Sequence, residues 1–459
     1  MKKTFGIAAA VLSVGILGLG LGYGTASSAA EVARAGSRAT EAYVPVPMPP
    51  GFQVVATELE GPVFADAKGK TLYKWPVKAM RNGYAGDPKD KSVCGDEIVL
   101  KSAGLMSPYP PGLDLPEPKS RVSCIAFWPP AYAGDGAKPV GRWTVITRDD
   151  GKKQWAYDGH ALYTSIIDRA PGDVLAGSSI PRRGDSPAAR EPVSPPPAIP
   201  PGFRVDTTVR GRMLSTEGRY AVYESDRDGP NKSNCDGICA RTWTPILAPA
   251  SAQPQGEWSV VVRAPGVRQW AFRKKPLYTY SADEGPGKFD GGDEPGWRNV
   301  YTQVAPAAPP TDFKIQTTLN GDVLADSRGK TVYVYSCGED SADMTPCDTL
   351  DSPQAYRFAV CGNQDVAKCL KTWPYVTASA GAKSDSRLWQ PVWVDPNTGH
   401  RAQPNQQGAL YVWAYRERPV YTYAHDREPG DFQGNNTGEW HGRWNGYQAF
   451  WIRDIGARG

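Results

Sequence analysis

Two stretches of the chain set apolar and polar positions in the same short order. Trp143-Thr-Val-Ile-Thr and Trp258-Ser-Val-Val-Val carry the aromatic and β-branched side chains that suit a pleated, half-buried surface. After the first, Asp149-Asp150-Gly151 reads as a hairpin turn and Gln154-Trp155-Ala156-Tyr157 as the returning strand. Asp158-Gly159 then turns the chain again into Leu162-Tyr163. The pattern predicts a three-stranded antiparallel meander. No helical period of 3.6 persists for more than a turn or two beyond the N-terminal segment.

The end of that meander recurs. Leu162-Tyr163-Thr164 is followed by Asp168 and Pro171-Gly172; Leu277-Tyr278-Thr279 by Asp283 and Pro286-Gly287; Val420-Tyr421-Thr422 by Asp426 and Pro429-Gly430. Asp stands five residues after Tyr each time, and Pro-Gly eight and nine after. Such a repeat fixes architecture before any local signal does. Its chemistry is a strand running into a turn, with Asp accepting from nearby backbone amides and Pro-Gly bending the chain.

Other landmarks keep step. The chain reads Pro49-Pro50-Gly51-Phe52, Pro200-Pro201-Gly202-Phe203 and Pro309-Pro310-Thr311-Asp312-Phe313 at three openings. Gly69-Lys70-Thr71-Leu72-Tyr73 returns as Gly329-Lys330-Thr331-Val332-Tyr333, with a looser form from Gly218 to Tyr223. Trp128, Trp243 and Trp373 each follow a Cys by four residues, and Trp155, Trp270 and Trp413 each precede the motif Tyr by eight. Constant spacing of this kind points to core packing. The prediction is an all-β chain of three small antiparallel units: unit one, 51–180; unit two, 202–304; unit three, 312–455. Gly69-x-x-Leu72-Tyr73 also resembles Gly159-x-x-Leu162-Tyr163, so each unit reads as two halves. Six half-repeats leave a propeller-like closed ring as the alternative. Residues 31–50, 181–201 and 305–311 read as linkers, the second rich in Pro.

Composition adds the compartment. Lys2-Lys3, an apolar run from Phe5 to about Leu21 and small residues to Ala30 make residues 1–30 a secretory signal peptide. No Cys precedes Cys94, so no lipobox is present, and no later run is long enough to span a membrane. A periplasmic or secreted location follows. Lys and Arg total 52 against 48 for Asp and Glu, a balance that gives no support to a nucleic-acid partner. In an exported chain the eight Cys favour disulfides. Repeat position pairs Cys94 with Cys124, Cys235 with Cys239 and Cys361 with Cys369, which leaves Cys337 with Cys347. Four Cys in unit three allow three connectivities, so pairing there stays open.

These residues resemble a bacterial secreted-repeat family of lipoproteins with a Yx(FWY)xxD motif. The motif is complete in Tyr278-Thr-Tyr280-Ser-Ala-Asp283 and in Tyr421-Thr-Tyr423-Ala-His-Asp426, whereas Ser165 takes the aromatic place in unit one. Cys235-x3-Cys239 followed by Trp243, and Gln-Trp-Ala-aromatic at 154–157 and 269–272, also match. The resemblance implies export and a small β-rich repeat. It implies no reaction, and the lipobox of its lipoprotein members is missing.

Candidate chemistry lies where the units differ. Asp283, Asp290 and Asp293 sit in a Gly-containing loop and could offer carboxylates to calcium. Trp389 and Trp413 are 24 residues apart, whereas the matching Trp pairs in units one and two are 12 apart. The added polar stretch holds His400 and Arg401; His425, Asp426, Glu428 and His441 follow in the same unit. These six form the expected contact surface. No nucleophile elbow, zinc-binding His-Glu-x-x-His or phosphate-binding Gly loop occurs, and no cofactor is implied. The sequence therefore predicts a non-enzymatic binding or scaffold module for an envelope protein or glycan. An enzyme or carbohydrate-binding protein using clefts between units, and a periplasmic partner of a redox or metal system, are the alternatives.

Overall fold

In the computed structural model each predicted meander forms, with the same register three times. Trp143–Thr147 pairs with Lys153–Tyr157, Trp258–Ala264 with Val267–Phe272, and Trp389–Val394 with Leu410–Tyr415. Trp143 lies opposite Tyr157, Trp258 opposite Phe272 and Trp389 opposite Tyr415. A short third strand completes each: His160–Ala161, Lys275–Pro276 and Arg418–Tyr421. The structure describes residues 40–454 except 81–82, 106, 178–189, 306–309, 338–348, 351, 353–355, 440 and 442–444. The expected signal peptide lies outside these residues.

A hairpin opens each unit: Phe52–Ala56 with Pro62–Asp66, Phe203–Thr208 with Gly211–Thr216, and Phe313–Thr318 with Gly321–Asp326. In units two and three, Tyr301–Val304 and Trp451–Asp454 add a third strand. The repeated core is the Phe of the opening hairpin against the two meander Trp rings. Phe52 lies 4.8 Å from Trp143 and Phe203 4.7 Å from Trp258 between ring centroids; Phe313 is 5.2 Å from Trp389 and 5.5 Å from Trp413. The regular Trp spacing is therefore core spacing, since only side chains at fixed steps on a strand reach one face.

The fold is mainly β, in small antiparallel sheets. Nine sheets form among the described residues, the largest with six strands in unit three, and none closes on itself. The half-repeats pair within units, as where Tyr73 bridges Tyr163 and Tyr333 pairs with Tyr421. Cys94–Cys124, Cys235–Cys239 and Cys361–Cys369 are bridged as the repeat positions require. Cys337 is also disulfide-bonded, and its expected partner Cys347 lies outside the described residues.

Residues Ala39–Gly459 form one compact body, but the units share it unequally. A single apolar core joins Leu59, Tyr73 and Trp128 of unit one to Leu324, Trp389 and Phe450 of unit three. Polar ties seal that junction. Arg416, with a 2% exposed side chain, reaches Glu60 at 2.6 Å. Arg418 donates to the carbonyls of Leu175 and Gly177, and Arg387 pairs with Asp173 at 3.1 Å. Unit two keeps two apolar cores of its own, drawn entirely from residues 199–301. It is held to the N-terminal segment by Glu41, which accepts from Arg212 at 2.9 Å, and to unit one by Gln303, which donates to the Thr57 carbonyl. Part of the expected second linker is built into unit one: Glu191–Pro192 pairs with Tyr73–Lys74.

Residues 198–305 expressed alone should fold cooperatively, because they carry both of their cores. Residues 312–455 alone should melt at lower urea than 198–305, because they keep the core around Tyr333 and Trp373 but lose the unit-one half of the one around Trp389. Circular dichroism and urea melts of the two fragments check this; equal or greater stability of 312–455 would contradict the shared core.

Candidate functional site

The motif Asp is an internal anchor. Tyr73 donates to Asp168, Tyr223 to Asp283 and Tyr333 to Asp426, each at 2.7 Å. The second carboxylate oxygen accepts the amide seven residues on: Leu175, Asp290 and Gln433. The sequence suggested an amide nearer by; the observed loop is longer because it must swing round to meet the first-half Tyr. In units one and two the exchange is reciprocal. Tyr163 donates to Asp87 at 2.6 Å and Tyr278 to Asp228 at 2.7 Å, and those Asp residues accept the amides of Val93 and Asn234. Each half's Tyr thus closes the other half's loop. Gly69 has φ +81°, and a Cβ there would stand 2.6 Å from Pro171 Cβ, so the landmark Gly lets the Pro-Gly turn pack on it.

The aromatic of the motif has a matching partner. Tyr280 stacks on Trp243 at 4.2 Å, and Trp297 covers the other face at 3.8 Å. Tyr423 and Tyr447 hold Trp373 likewise, at 4.4 and 3.7 Å. Ser165 cannot do this in unit one, where the Arg190 guanidinium lies 5.3 Å over Trp128 instead.

Burial sets the electrostatics of these anchors. It pushes the Asp168 carboxyl up to about 7, against the opposing Tyr73 hydroxyl and Leu175 amide. It pushes Asp87 up to about 6 and raises Asp283 and Asp426 as well. The donor hydroxyls of Tyr73 and Tyr163 are held well above their ordinary range by burial and by the facing carboxylates.

Where the units meet, the surface folds inward as a cleft of about 670 Å³. Its apolar lining comes from unit three, with Leu324, Leu388, Trp389, Phe450 and Ile452, from Leu59 of unit one, and from Val209, Phe272 and Val300 of unit two. Unit two supplies the charged lip: Arg210, Glu224, Arg273, Lys275 and Arg298. Ile315 and Val304, 51% and 57% exposed, also line it. Arg273 pairs with Glu257 and donates to the Tyr301 and Thr302 carbonyls. Lys275 donates to the carbonyls of Ser225 and Asp228, and Arg298 pairs with Asp226 at 2.6 Å. Burial raises the Glu224 carboxyl, which the facing Arg298 opposes. This volume and lining suit a small ligand with a large apolar part. Sequence spacing held no signal for it, because its walls come from three units.

The residues singled out in the sequence occupy several different settings. His400 meets Glu117 of unit one at 2.8 Å, and Arg401 pairs with Glu417. Arg357, 1% exposed, donates to the Gly399 carbonyl of the same loop. Asp426 is buried on Tyr333, while exposed His425 packs its ring on Tyr423 at 5.1 Å. Glu428 and His441 are exposed. Asp283 is occupied by Tyr223 and the Asp290 amide, Asp290–Asp293 forms a 3-10 turn, and Asp293 is exposed. Among the described residues no group of three or more His, Cys, Asp or Glu side chains is gathered as a metal site.

A family model described as a secreted repeat of unknown function matches the chain twice, over residues 144–177 and 410–445. Both segments run from the meander into the Asp-anchored loop. No curated protein and no solved structure matches. Among the described residues no helix is long and apolar enough to cross a membrane.

The raised carboxyls predict an unusual pH response. A folded chain that holds protons on Asp168 and Asp87 binds more of them than the unfolded chain between 3.8 and about 7. Stability from these groups is full below that window and is lost as pH rises through the folded values. The melting temperature should therefore fall from pH 4.5 to pH 7.5 (about three units, chosen to span the window), and Asp168→Asn should flatten the slope. A melting temperature that climbs steadily across this range would contradict the assignment.

Proposed function

We propose that this protein is an exported, non-enzymatic binding module of the bacterial envelope, and that its ligand site is the cleft between units two and three. The observation that carries this reading is the cleft itself, about 670 Å³, with a largely apolar lining and cations supplied by unit two. Soluble chains rarely leave such a surface without use. Each methylene moved from water onto the wall contributes about 0.8 kcal/mol, enough for micromolar binding by a modest hydrocarbon. The apolar lining favours hydrocarbon over sugar, which needs many polar partners. The secreted-repeat match supports the exported setting.

The polar loop with His400 and Arg401 belongs to the frame in this reading. Its bond to Glu117 joins it to unit one, and its bonds to Glu417 and Arg357 fix it within unit three. The repeats thus build a rigid holder, and the junction of non-identical units supplies the site.

The neutral apolar dye 1-N-phenylnaphthylamine tests this. It should bind the full chain at one site with micromolar affinity. The double substitution Val304→Glu, Ile315→Glu should weaken binding about tenfold or more with little change in melting, because both side chains are already exposed. Equal dye binding by the folded variant would remove the cleft as the site.

A further inference from the structure

We infer that the cleft takes a single-chain amphiphile with an anionic head, its chain along the unit-three wall and its head at Arg210. The inference rests on the cleft being the ligand site and adds the ligand's chemistry. The first observation is the mix of surface types. Unit three lines the cleft with Leu388, Trp389, Phe450 and Ile452 and with no charged side chain. Unit two brings all four cations together with Val209, Val300 and Val304. A molecule that satisfies both must itself be apolar at one end and charged at the other.

The second observation gives the sign. Arg210, Arg273, Lys275 and Arg298 stand against Glu58 and Glu224 among the lining residues, an excess of positive charge. The carboxylates are engaged: Glu58 accepts from the Ser386 hydroxyl and the Arg387 amide, and Glu224 faces Arg298. Three of the cations are held as well, Arg273 by Glu257, Arg298 by Asp226 and Lys275 by backbone carbonyls. Arg210 differs. Half-buried at the turn of the unit-two hairpin, its guanidinium has no hydrogen-bond or ion-pair partner among the described residues. Its planar fork matches a carboxylate or phosphate in two-point contact.

The third observation is the mouth. Val304 and Ile315 expose more than half their surface at the cleft, on facing units. A chain threaded between them would cover both. Val304 ends the strand Tyr301–Val304, whose partner strand begins at Gly211, the residue after Arg210. Head and chain contacts thus lie within one short piece of unit two.

Displacement of 1-N-phenylnaphthylamine from the full chain tests the inference. Competitors are dodecanoate, dodecyl phosphate, 1-dodecanol and dodecyltrimethylammonium, each below its micelle threshold, with wild type and Arg210→Glu. The two anions should displace the dye at about one-tenth the concentration that the alcohol or the cation needs. Arg210→Glu should raise the anion concentrations about tenfold relative to that of the alcohol. The order of dodecanoate and dodecyl phosphate then shows which head group the site prefers, and either order supports an anionic head. Equal potency across the four competitors, or an unaltered anion response in Arg210→Glu, would overturn the anionic head while leaving the cleft in place. Failure of the dye to bind, or dye binding indifferent to Val304→Glu, Ile315→Glu, would overturn the cleft and this inference with it.

Discussion

A hydrogen bond from a buried tyrosine to a buried aspartate organises every unit. Tyr73–Asp168, Tyr223–Asp283 and Tyr333–Asp426 each join the first half of a unit to the loop that ends its second half. A buried carboxylate needs its partners, and removing one leaves it desolvated and unpaired. The loop therefore cannot move independently of the hairpin side, and the stacked Trp beneath the Tyr is fixed with it. Once each unit is rigid, the positions of its edges are set, and so is the shape of the junction between units two and three.

The units also differ at a turn that local rules would not choose. The second meander turn in unit one is Asp158-Gly159, both at positive φ. Units two and three place Arg273-Lys274 and Arg416-Glu417 there, at φ 48° and 66° and at 49° and 63°. Such pairs are disfavoured in a turn that suits Gly and Asn. The side chains account for the choice. Arg273 lines the cleft, and Arg416 reaches Glu60 across the junction of units one and three. Glu417 receives Arg169 and Arg401. Local strain sits where a charged residue makes a contact outside its own turn.

Much of the frame was legible in the sequence because it repeats. The meanders, the Trp core and three disulfides follow from spacing, since a strand brings residues to one face only at fixed steps. Reciprocal Tyr–Asp exchange was harder to see. Its signal is present in unit two, where Tyr223 and Asp228 have the same five-residue spacing as Tyr278 and Asp283. Unit one hides it by placing Asp87 fourteen residues after Tyr73. The cleft had no such signal. Leu59, Val304 and Leu388 belong to different units, and nothing in their neighbours announces that they meet. The polar stretch around His400 drew attention because it is the largest departure from the repeat, and it turns out to bridge units through Glu117.

The central claim is that the buried Tyr–Asp bond couples the two halves of a unit. A double-mutant cycle on Tyr223 and Asp283 tests it most directly: Tyr223→Phe, Asp283→Asn and the pair, each measured on the urea transition that unfolds unit two. A hydrogen bond to a buried carboxylate predicts a coupling of about 1.5–3 kcal/mol, with the double variant less destabilised than the sum of the singles. Additivity within about 0.5 kcal/mol would contradict the account and leave the recurrence of this pair in three units without its physical cause.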